Sequence, residues 1–186
     1  MSNRTRDYTP TRFTPEDPES HFLRPIDYEG SGGADAFLEV MEGEIIPFAE
    51  ERYDLDPGRR GIVGKSMSGL LVTHALLRWP RLFSHYLVIS PARWWDDYFK
   101  EFSDRAVMRI ESETHENRLS EPIRVHFTMG ELEERLGMLA DVYVLTRALR
   151  LRNDPNLDLT VRLMDGEDHE GSFARGYAEG IRALFE

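Results

Sequence analysis

Strand-then-helix units repeat through the last two thirds of the chain and limit its fold more than any other feature. Short strands rich in apolar residues are predicted at 60–64, 85–90, 123–128 and 157–164, and a helical segment follows each of them. The helix after the strand 123–128 is predicted from about 134 to 150. Repeated units of this kind imply a mainly parallel sheet with helices on its faces. We therefore predict an α/β fold, a three-layer sandwich, whose ligand site lies beyond the carboxyl ends of the strands. The alternating pattern of 157–164 is typical of an edge strand.

The chain before these units falls into two parts. Residues 1–33 are rich in Pro and end in a Gly-Ser-Gly-Gly run, which predicts an irregular segment, wrapped on a surface or mobile. Apolar residues then recur at helical spacing from Ala34, and Pro47 is expected to kink or break this helix. The predicted boundaries are therefore 1–33 for the irregular segment and 34–186 for the α/β domain.

Charge and residue types exclude several classes of partner. The 186 residues include 23 Lys and Arg against 34 Asp and Glu, so the formal net charge is −11. An acidic surface repels phosphate, which argues against nucleic acid and anionic membranes as partners. The absence of Cys excludes disulfides, thiolate metal sites and a Cys nucleophile. No apolar run approaches the roughly 20 residues that span a bilayer, and no signal-peptide pattern follows Met1, so a cytoplasmic location is expected.

Ser66 is the candidate nucleophile. It lies in Gly64-Lys65-Ser66-Met67-Ser68-Gly69, between a predicted strand and a predicted helix. Small residues around a serine at such a turn favour a nucleophile elbow, in which the next N–H, that of Met67, points toward a developing oxyanion. The strict pattern has Gly where Ser68 stands. A serine before a helix is also a common N-cap, so that alternative stays open.

A nucleophilic serine needs a base and a carboxylate that orients the base. His169 lies just past the last predicted strand, in Gly166-Glu167-Asp168-His169, although an acidic solvated turn is the alternative. Glu133 is the first choice for the acid and Glu131 the second, because both follow the strand 123–128. The resulting order, serine then acid then histidine, is that of α/β-hydrolases.

The sequence also resembles the Putative esterase family of the α/β-hydrolase superfamily, which includes esterase D and the enterobactin-type siderophore esterases. The matching segments are 4–10, 32–38 with 46–48, the elbow 64–70, the Ser-Pro-x-x-Trp-Trp loop at 90–97, 130–133 and 166–169. The resemblance implies an α/β-hydrolase-like catalytic domain with Ser66 as nucleophile, His169 as base and Glu133 as acid. It implies a small-molecule ester substrate and requires no metal or cofactor. Trp94 and Trp95 either line the pocket mouth or fill a loop core.

Two features depart from this family. Lys65 occupies a position where the family usually has another residue; an elbow neighbour points away from the nucleophile, so a Ser-Lys dyad is not expected. The family's first strands and second oxyanion donor have no counterpart before Arg4, so we expect an N-terminally incomplete sheet with the strand 60–64 at its edge. A fragment, a misplaced start codon, or a subunit that borrows a partner's surface would each explain this. A homo-oligomer is one way to cover the edge.

The function expected from these residues is hydrolysis of a carboxylic ester through an acyl-enzyme on Ser66. A siderophore trilactone, a small acyl ester or a thioester would each suit such a site. The alternatives are an inactive hydrolase remnant that acts as a binding module, since a lost oxyanion donor costs about 10²–10³ in rate, and acyl transfer to an acceptor other than water.

Overall fold

The structure is a computed structural model that describes residues 3–13, 28, 30–92, 95, 101–136 and 138–186. Its strands are β1 Gly61–Lys65, β2 His85–Ile89, β3 Ile123–Gly130 and β4 Leu157–Met164. Its α-helices are α1 Arg4–Tyr8, α2 Ala34–Val40, α3 Ile46–Arg52, α4 Met67–Arg78, α5 Ala106–Thr114, α6 Met138–Leu151 and α7 Ser172–Phe185.

The strands form one parallel sheet in the order β1-β2-β3-β4. Lys65 pairs with Ile89, and Ile89 pairs with Thr128, so the carboxyl ends of the strands reach the same edge of the sheet. Each strand is followed by a helix, and a crossover helix is what parallel pairing of consecutive strands requires. The predicted α/β fold with a parallel sheet is confirmed.

Alternating side chains of the strands supply the two faces on which the helices pack. Tyr86 and Val88 belong to a large core that also takes residues from α4, α5 and α6. Leu87 and Ile89 point the other way and pack with Leu184 of α7. At Gly180 of α7, an added Cβ would collide with the Leu87 side chain, so the helix lies directly on the sheet. The result is the expected three-layer arrangement.

Three local expectations are corrected. The segment 1–33 is not wholly irregular, because Arg4–Tyr8 is a short helix. The helix that contains Pro47 is distorted rather than broken, because Met41–Ile45, just before this proline, forms a π turn in which the Ile46 N–H donates to the Met41 carbonyl. Pro47 itself falls in the first turn of α3. The helix expected from 134 begins at Met138, because 131–136 form a 3₁₀ turn. The division into 1–33 and 34–186 stays a prediction.

β1 is an edge strand of the described sheet. Val63 on this strand is 41% exposed, which is high for a branched apolar residue in a parallel strand. The homo-oligomer that would cover this edge stays a prediction. Among the described helices, none combines the length and the apolar character that crossing a membrane requires.

Candidate active site

Ser66 occupies a strained turn between β1 and α4. Its φ is 56° and its ψ −117°, a conformation that residues with a Cβ rarely adopt. The Ser66 N–H donates to the carbonyls of Ile89 and Ser90, at 3.0 and 3.1 Å, which holds the turn against β2. The Ser66 side chain makes no capping hydrogen bond to α4, so the N-cap alternative does not describe this residue. Backbone strain of this kind is typical of functional sites.

The residues around Ser66 explain both the match to an elbow and the departure from its strict pattern. A Cβ at Gly64 would collide with the carbonyl oxygen of Ser68, so only glycine fits there. The Ser68 hydroxyl accepts from the Lys65 N–H at 3.0 Å and donates to the Lys65 carbonyl at 2.8 Å. Ser68 therefore braces the turn through its side chain, and the usual glycine is not needed at this position.

Met67 is the first residue of α4. The N–H groups of a helix's first turn have no acceptor within the helix, and the helix dipole makes this end positive. The Met67 N–H therefore suits a developing negative charge beside Ser66. Its role as an oxyanion donor stays a prediction.

Glu133 and His169 meet beyond the ends of β3 and β4. Glu133 Oε2 lies 2.9 Å from His169 Nδ1, while Glu133 itself is only 2% exposed. Glu131 is exposed, and its carboxylate accepts from the Gly166 N–H at 3.0 Å instead. Of the two candidate acids, the structure brings Glu133 to the histidine. Nδ1 facing a carboxylate leaves Nε2 as the ring nitrogen free for other partners.

The second oxygen of Glu133 is also fully engaged. Glu133 Oε1 accepts from the Ser90 hydroxyl at 2.6 Å and from the Gly130 N–H at 2.8 Å. Burial raises the pKa of the Glu133 carboxyl, but hydrogen bonds from His169, Ser90 and Gly130 outweigh it and leave the pKa below its usual range. Glu133 is therefore a carboxylate at neutral pH, as an orienting acid must be.

The segment carrying His169 crosses from β4 back over the sheet toward β1. The Leu132 N–H donates to the Glu167 carbonyl at 3.0 Å, and Gly130 lies so close to Glu167 that a Cβ there would collide with its backbone. Further along, Lys65 Nζ lies 3.1 Å from a carboxylate oxygen of Glu170. The residues next to Ser66 and next to His169 are thus joined by an ion pair.

The link from Ser66 to His169 is not closed by a hydrogen bond. Within the described part of the chain, no hydrogen bond involves the Ser66 hydroxyl. Catalytic hydrogen bonds are often long without substrate and tighten when it binds. The structure therefore pairs Glu133 with His169 and brings Glu170, the residue after His169, to Lys65 beside Ser66. The contact between Ser66 and His169 stays a prediction.

Sequence reasoning missed two serines at this site. The Ser90 hydroxyl contacts Glu133, and it lies 2.8 Å from the hydroxyl of Ser172, which is also 3.0 Å from the His169 carbonyl oxygen. A signal was present, because Ser90 ends the strand between the nucleophile and acid strands, and Ser172 follows the histidine segment.

Trp95 does not form a pocket mouth. It is 1% exposed, its ring contacts those of Phe13 and Tyr28, and its indole N–H donates to the Thr11 carbonyl at 3.1 Å. Trp95 therefore fills a loop core and ties the N-terminal segment to the domain, the alternative considered for it. Trp94 lies outside the described residues.

The other described histidines have separate partners. His74 pairs with Asp35, His85 stacks on Phe185, His115 pairs with Glu111 and His126 contacts Thr160. In the described ranges, no group of three or more His, Asp and Glu side chains is arranged to hold a metal ion.

Comparisons with known proteins identify the family of this chain. The model of the family described as Putative esterase matches residues 21–177. A siderophore triacetylfusarinine C esterase from Aspergillus fumigatus is 26% identical over 178 residues, covering 84% of this chain and 60% of that protein. A ferri-bacillibactin esterase from Bacillus subtilis is 33% identical over 136 residues, covering 72% of this chain and 44% of that protein. The chain thus spans about half the length of these curated relatives.

Solved structures share the fold. The BES protein from Bacillus cereus superposes with a TM-score of 0.78 at 24% identity, covering 97% of this chain and 64% of that one. The siderophore hydrolase EstB from Aspergillus nidulans superposes with a TM-score of 0.76 at 23% identity, covering 96% and 62%. At this level of identity, the likeness establishes the architecture.

Proposed function

The chain belongs to the Putative esterase family, and from this premise we propose that it hydrolyses carboxylic esters through an acyl-enzyme on Ser66. The observation that carries the proposal is the contact of the buried Glu133 with the half-buried His169, 2.9 Å between Oε2 and Nδ1, beside a serine at positive φ. A base oriented by a carboxylate and a nucleophile on a strained turn are the parts that acyl transfer needs.

In the first half-reaction, Ser66 Oγ attacks the ester carbonyl carbon while His169 Nε2 takes the hydroxyl proton. The carbonyl oxygen becomes an oxyanion next to the Met67 N–H, at the positive end of α4. The bond from carbon to the alcohol oxygen then breaks, and His169 returns its proton to the leaving alkoxide. The products are a free alcohol and an ester of Ser66.

In the second half-reaction, water attacks the acyl carbon and His169 accepts the water proton. When the bond between the acyl carbon and Ser66 Oγ breaks, the same proton returns to Oγ. The carboxylic acid leaves and the starting enzyme is restored. Glu133 holds the ring with Nδ1–H toward its carboxylate throughout and stabilises the imidazolium. Each step uses only groups of this chain, substrate and water.

The substrate class we favour is an ester-linked siderophore. Both curated relatives named above are siderophore esterases, and a siderophore enterobactin esterase from Emericella nidulans is 35% identical over 88 residues. The match covers only part of each relative, so small acyl esters are tested beside a catecholate trilactone.

Labelling with a fluorophosphonate, measured by intact mass, tests the nucleophile. We expect one adduct on the wild-type chain, none on Ser66→Ala, and one on the control Ser84→Ala, whose hydroxyl bonds to the Arg60 carbonyl at the opposite end of the sheet. Hydrolysis of p-nitrophenyl acetate and of the trilactone, followed by product analysis with and without added alcohol, then tests the reaction. An adduct that persists in a folded Ser66→Ala protein would exclude Ser66 as the nucleophile.

A further inference from the structure

We propose that Ser90 is a positioning residue that fixes the carboxylate of Glu133 and joins the loops of nucleophile, acid and base. This inference rests on the proposed esterase function. Ser90 is completely buried and directly follows β2, between the strands that carry Ser66 and Glu133.

The direction of the contact with Glu133 is fixed by chemistry. An ionised carboxylate only accepts hydrogen bonds, so the Ser90 hydroxyl donates its one proton to Glu133 Oε1, across 2.6 Å. This separation is typical of a hydroxyl bonded to a charged oxygen, which is stronger than a bond between neutral groups. Together with the Gly130 N–H it holds Oε1, and Oε2 is left directed at His169.

The backbone of Ser90 is tied to the strands on either side. Its carbonyl accepts from the Ser66 N–H at 3.1 Å, and its own N–H donates to the Thr128 carbonyl of β3 at 2.9 Å. Its φ is 43°, so it shares with Ser66 the left-handed region that residues with a Cβ avoid. Such a conformation is strained and persists only where surrounding contacts impose it. Here it turns the hydroxyl toward Glu133.

Ser172 extends the connection to the base. This buried residue begins α7, and its hydroxyl oxygen lies 2.8 Å from Ser90 Oγ and 3.0 Å from the His169 carbonyl oxygen. Because the Ser90 proton is committed to Glu133, the Ser172 proton is shared between Ser90 Oγ and the His169 carbonyl. The two buried hydroxyls thus contact the side chain of Glu133 and the backbone of His169, and the Ser90 carbonyl contacts the backbone of Ser66.

The expected consequence follows from what remains when the Ser90 hydroxyl is removed. In Ser90→Ala, only the Gly130 N–H still holds Oε1, so the carboxylate can rotate away from His169. Losing groups that orient metal-binding side chains typically costs about 10–100-fold in activity, and we take the same scale for the group that orients Glu133. We expect a loss of this size in kcat with KM changed less than about threefold, since Ser90 is buried beneath the site.

A double-mutant cycle with Glu133→Gln separates positioning from general structural support. If Ser90 acts through Glu133, adding Ser90→Ala to Glu133→Gln leaves kcat within about threefold of Glu133→Gln alone. A loss of equal size in both backgrounds, or no loss in the wild-type background, would overturn the proposal. Ser84→Ala is the matched control, because Ser84 precedes the same strand at its other end, where its hydroxyl bonds to the Arg60 carbonyl.

Two further measurements keep the proposal testable if Ser90→Ala folds poorly or the wild-type chain lacks esterase activity. Ser90→Gly removes the hydroxyl but suits the positive φ, and it should reproduce the kinetic loss with a normal unfolding transition. The proton NMR signal of His169 Nδ1–H reports the Glu133 contact without turnover. It should appear far downfield in the wild type and move or broaden in Ser90→Gly but not in Ser84→Ala. A signal unchanged in Ser90→Gly would overturn the inference even where esterase activity is absent.

Discussion

Replacing Glu133 by Gln tests the acid–base pair with almost no change of shape. Glu133 accepts three hydrogen bonds, two at Oε1 from Ser90 and Gly130 and one at Oε2 from His169. An amide has one oxygen and one NH₂ group, so it cannot serve all three donors. The outcome depends on which donors keep the oxygen.

Counting hydrogen bonds decides between the two amide orientations. With its oxygen toward Ser90 and Gly130, the introduced amide keeps two bonds and sets its NH₂ against His169 Nδ1. The opposite orientation leaves the buried Gly130 N–H without an acceptor, which costs about 1–3 kcal/mol. We therefore expect the first orientation. In this orientation the amide NH₂ faces His169 Nδ1, so the imidazole must adopt the tautomer in which Nδ1 is unprotonated. The ring proton then lies on Nε2, and Nε2 no longer has the lone pair that would accept the Ser66 proton.

The same change of tautomer in a serine protease triad lowers kcat about 10⁴-fold. At 1.36 kcal/mol for each factor of ten, this corresponds to about 5 kcal/mol of transition-state stabilisation. We expect a loss of this order for Glu133→Gln in ester hydrolysis or fluorophosphonate labelling, with urea unfolding showing that the variant is folded. Glu131→Gln is the matched control, since its exposed carboxylate contacts the Gly166 N–H, and it should stay within about threefold of wild type.

Two results would refute this reasoning. Glu133→Gln could retain activity within about tenfold of wild type, which would mean that the histidine keeps its function without a carboxylate. Glu131→Gln could instead lose as much as Glu133→Gln, which would mean that the acid has been assigned to the wrong residue.

Three other changes test the site's charges and close contacts. The folded pKa of Glu133 lies below its ordinary value of 4.5, because the hydrogen bonds to its carboxylate outweigh the effect of burial. The Glu133 carboxylate therefore adds folding stability that is present above about pH 5 and is lost as the pH falls through the folded pKa. The excess unfolding free energy of wild type over Glu133→Gln in urea should therefore shrink from about pH 6 to about pH 3. Gly130→Ala should lose about 1–3 kcal/mol in the same assay and lower kcat, because its Cβ collides with the Glu167 carbonyl; a fully active variant would contradict this. Lys65→Met should keep kcat within about tenfold, whereas a Ser66–Lys65 dyad would lose far more.

The sheet could be predicted from sequence because its strands have a strong local signal. β2 and β3 are buried on both faces and are short apolar runs bounded by turns, while β4 shows an alternating pattern. All four strands lie within two residues of the ends predicted for them. The π turn at Met41–Ile45 has a weaker signal, since its hydrophobic spacing is that of an ordinary helix and only Pro47 indicates a distortion. The short helix Arg4–Tyr8 packs against α2 and α4, and those tertiary contacts are not written in its own five residues.

Chain order identified Glu133 and His169 as partners, and their contact in the structure agrees with that interpretation. Glu131 could not be excluded from sequence, because both carboxylates follow the same strand and only their burial and contacts in the fold distinguish them. Ser90 was missed for another reason. A serine that ends a buried strand is also a common turn residue, so its hydroxyl gains meaning only from the side chains that the fold brings to it.

The distance of each site residue from its strand end follows from the geometry of the sheet. Ser66 and Ser90 directly follow β1 and β2, while Glu133 is the third residue after β3 and His169 the fifth after β4. Neighbouring strands lie about 4.8 Å apart, so β4 is about 14 Å from β1. Five extended residues reach at most about 17 Å, which is just enough to return a side chain from β4 toward the elbow. The strands farther from β1 need more residues between the strand end and the site residue. This is why the site residues lie at different distances from their strand ends in the sequence.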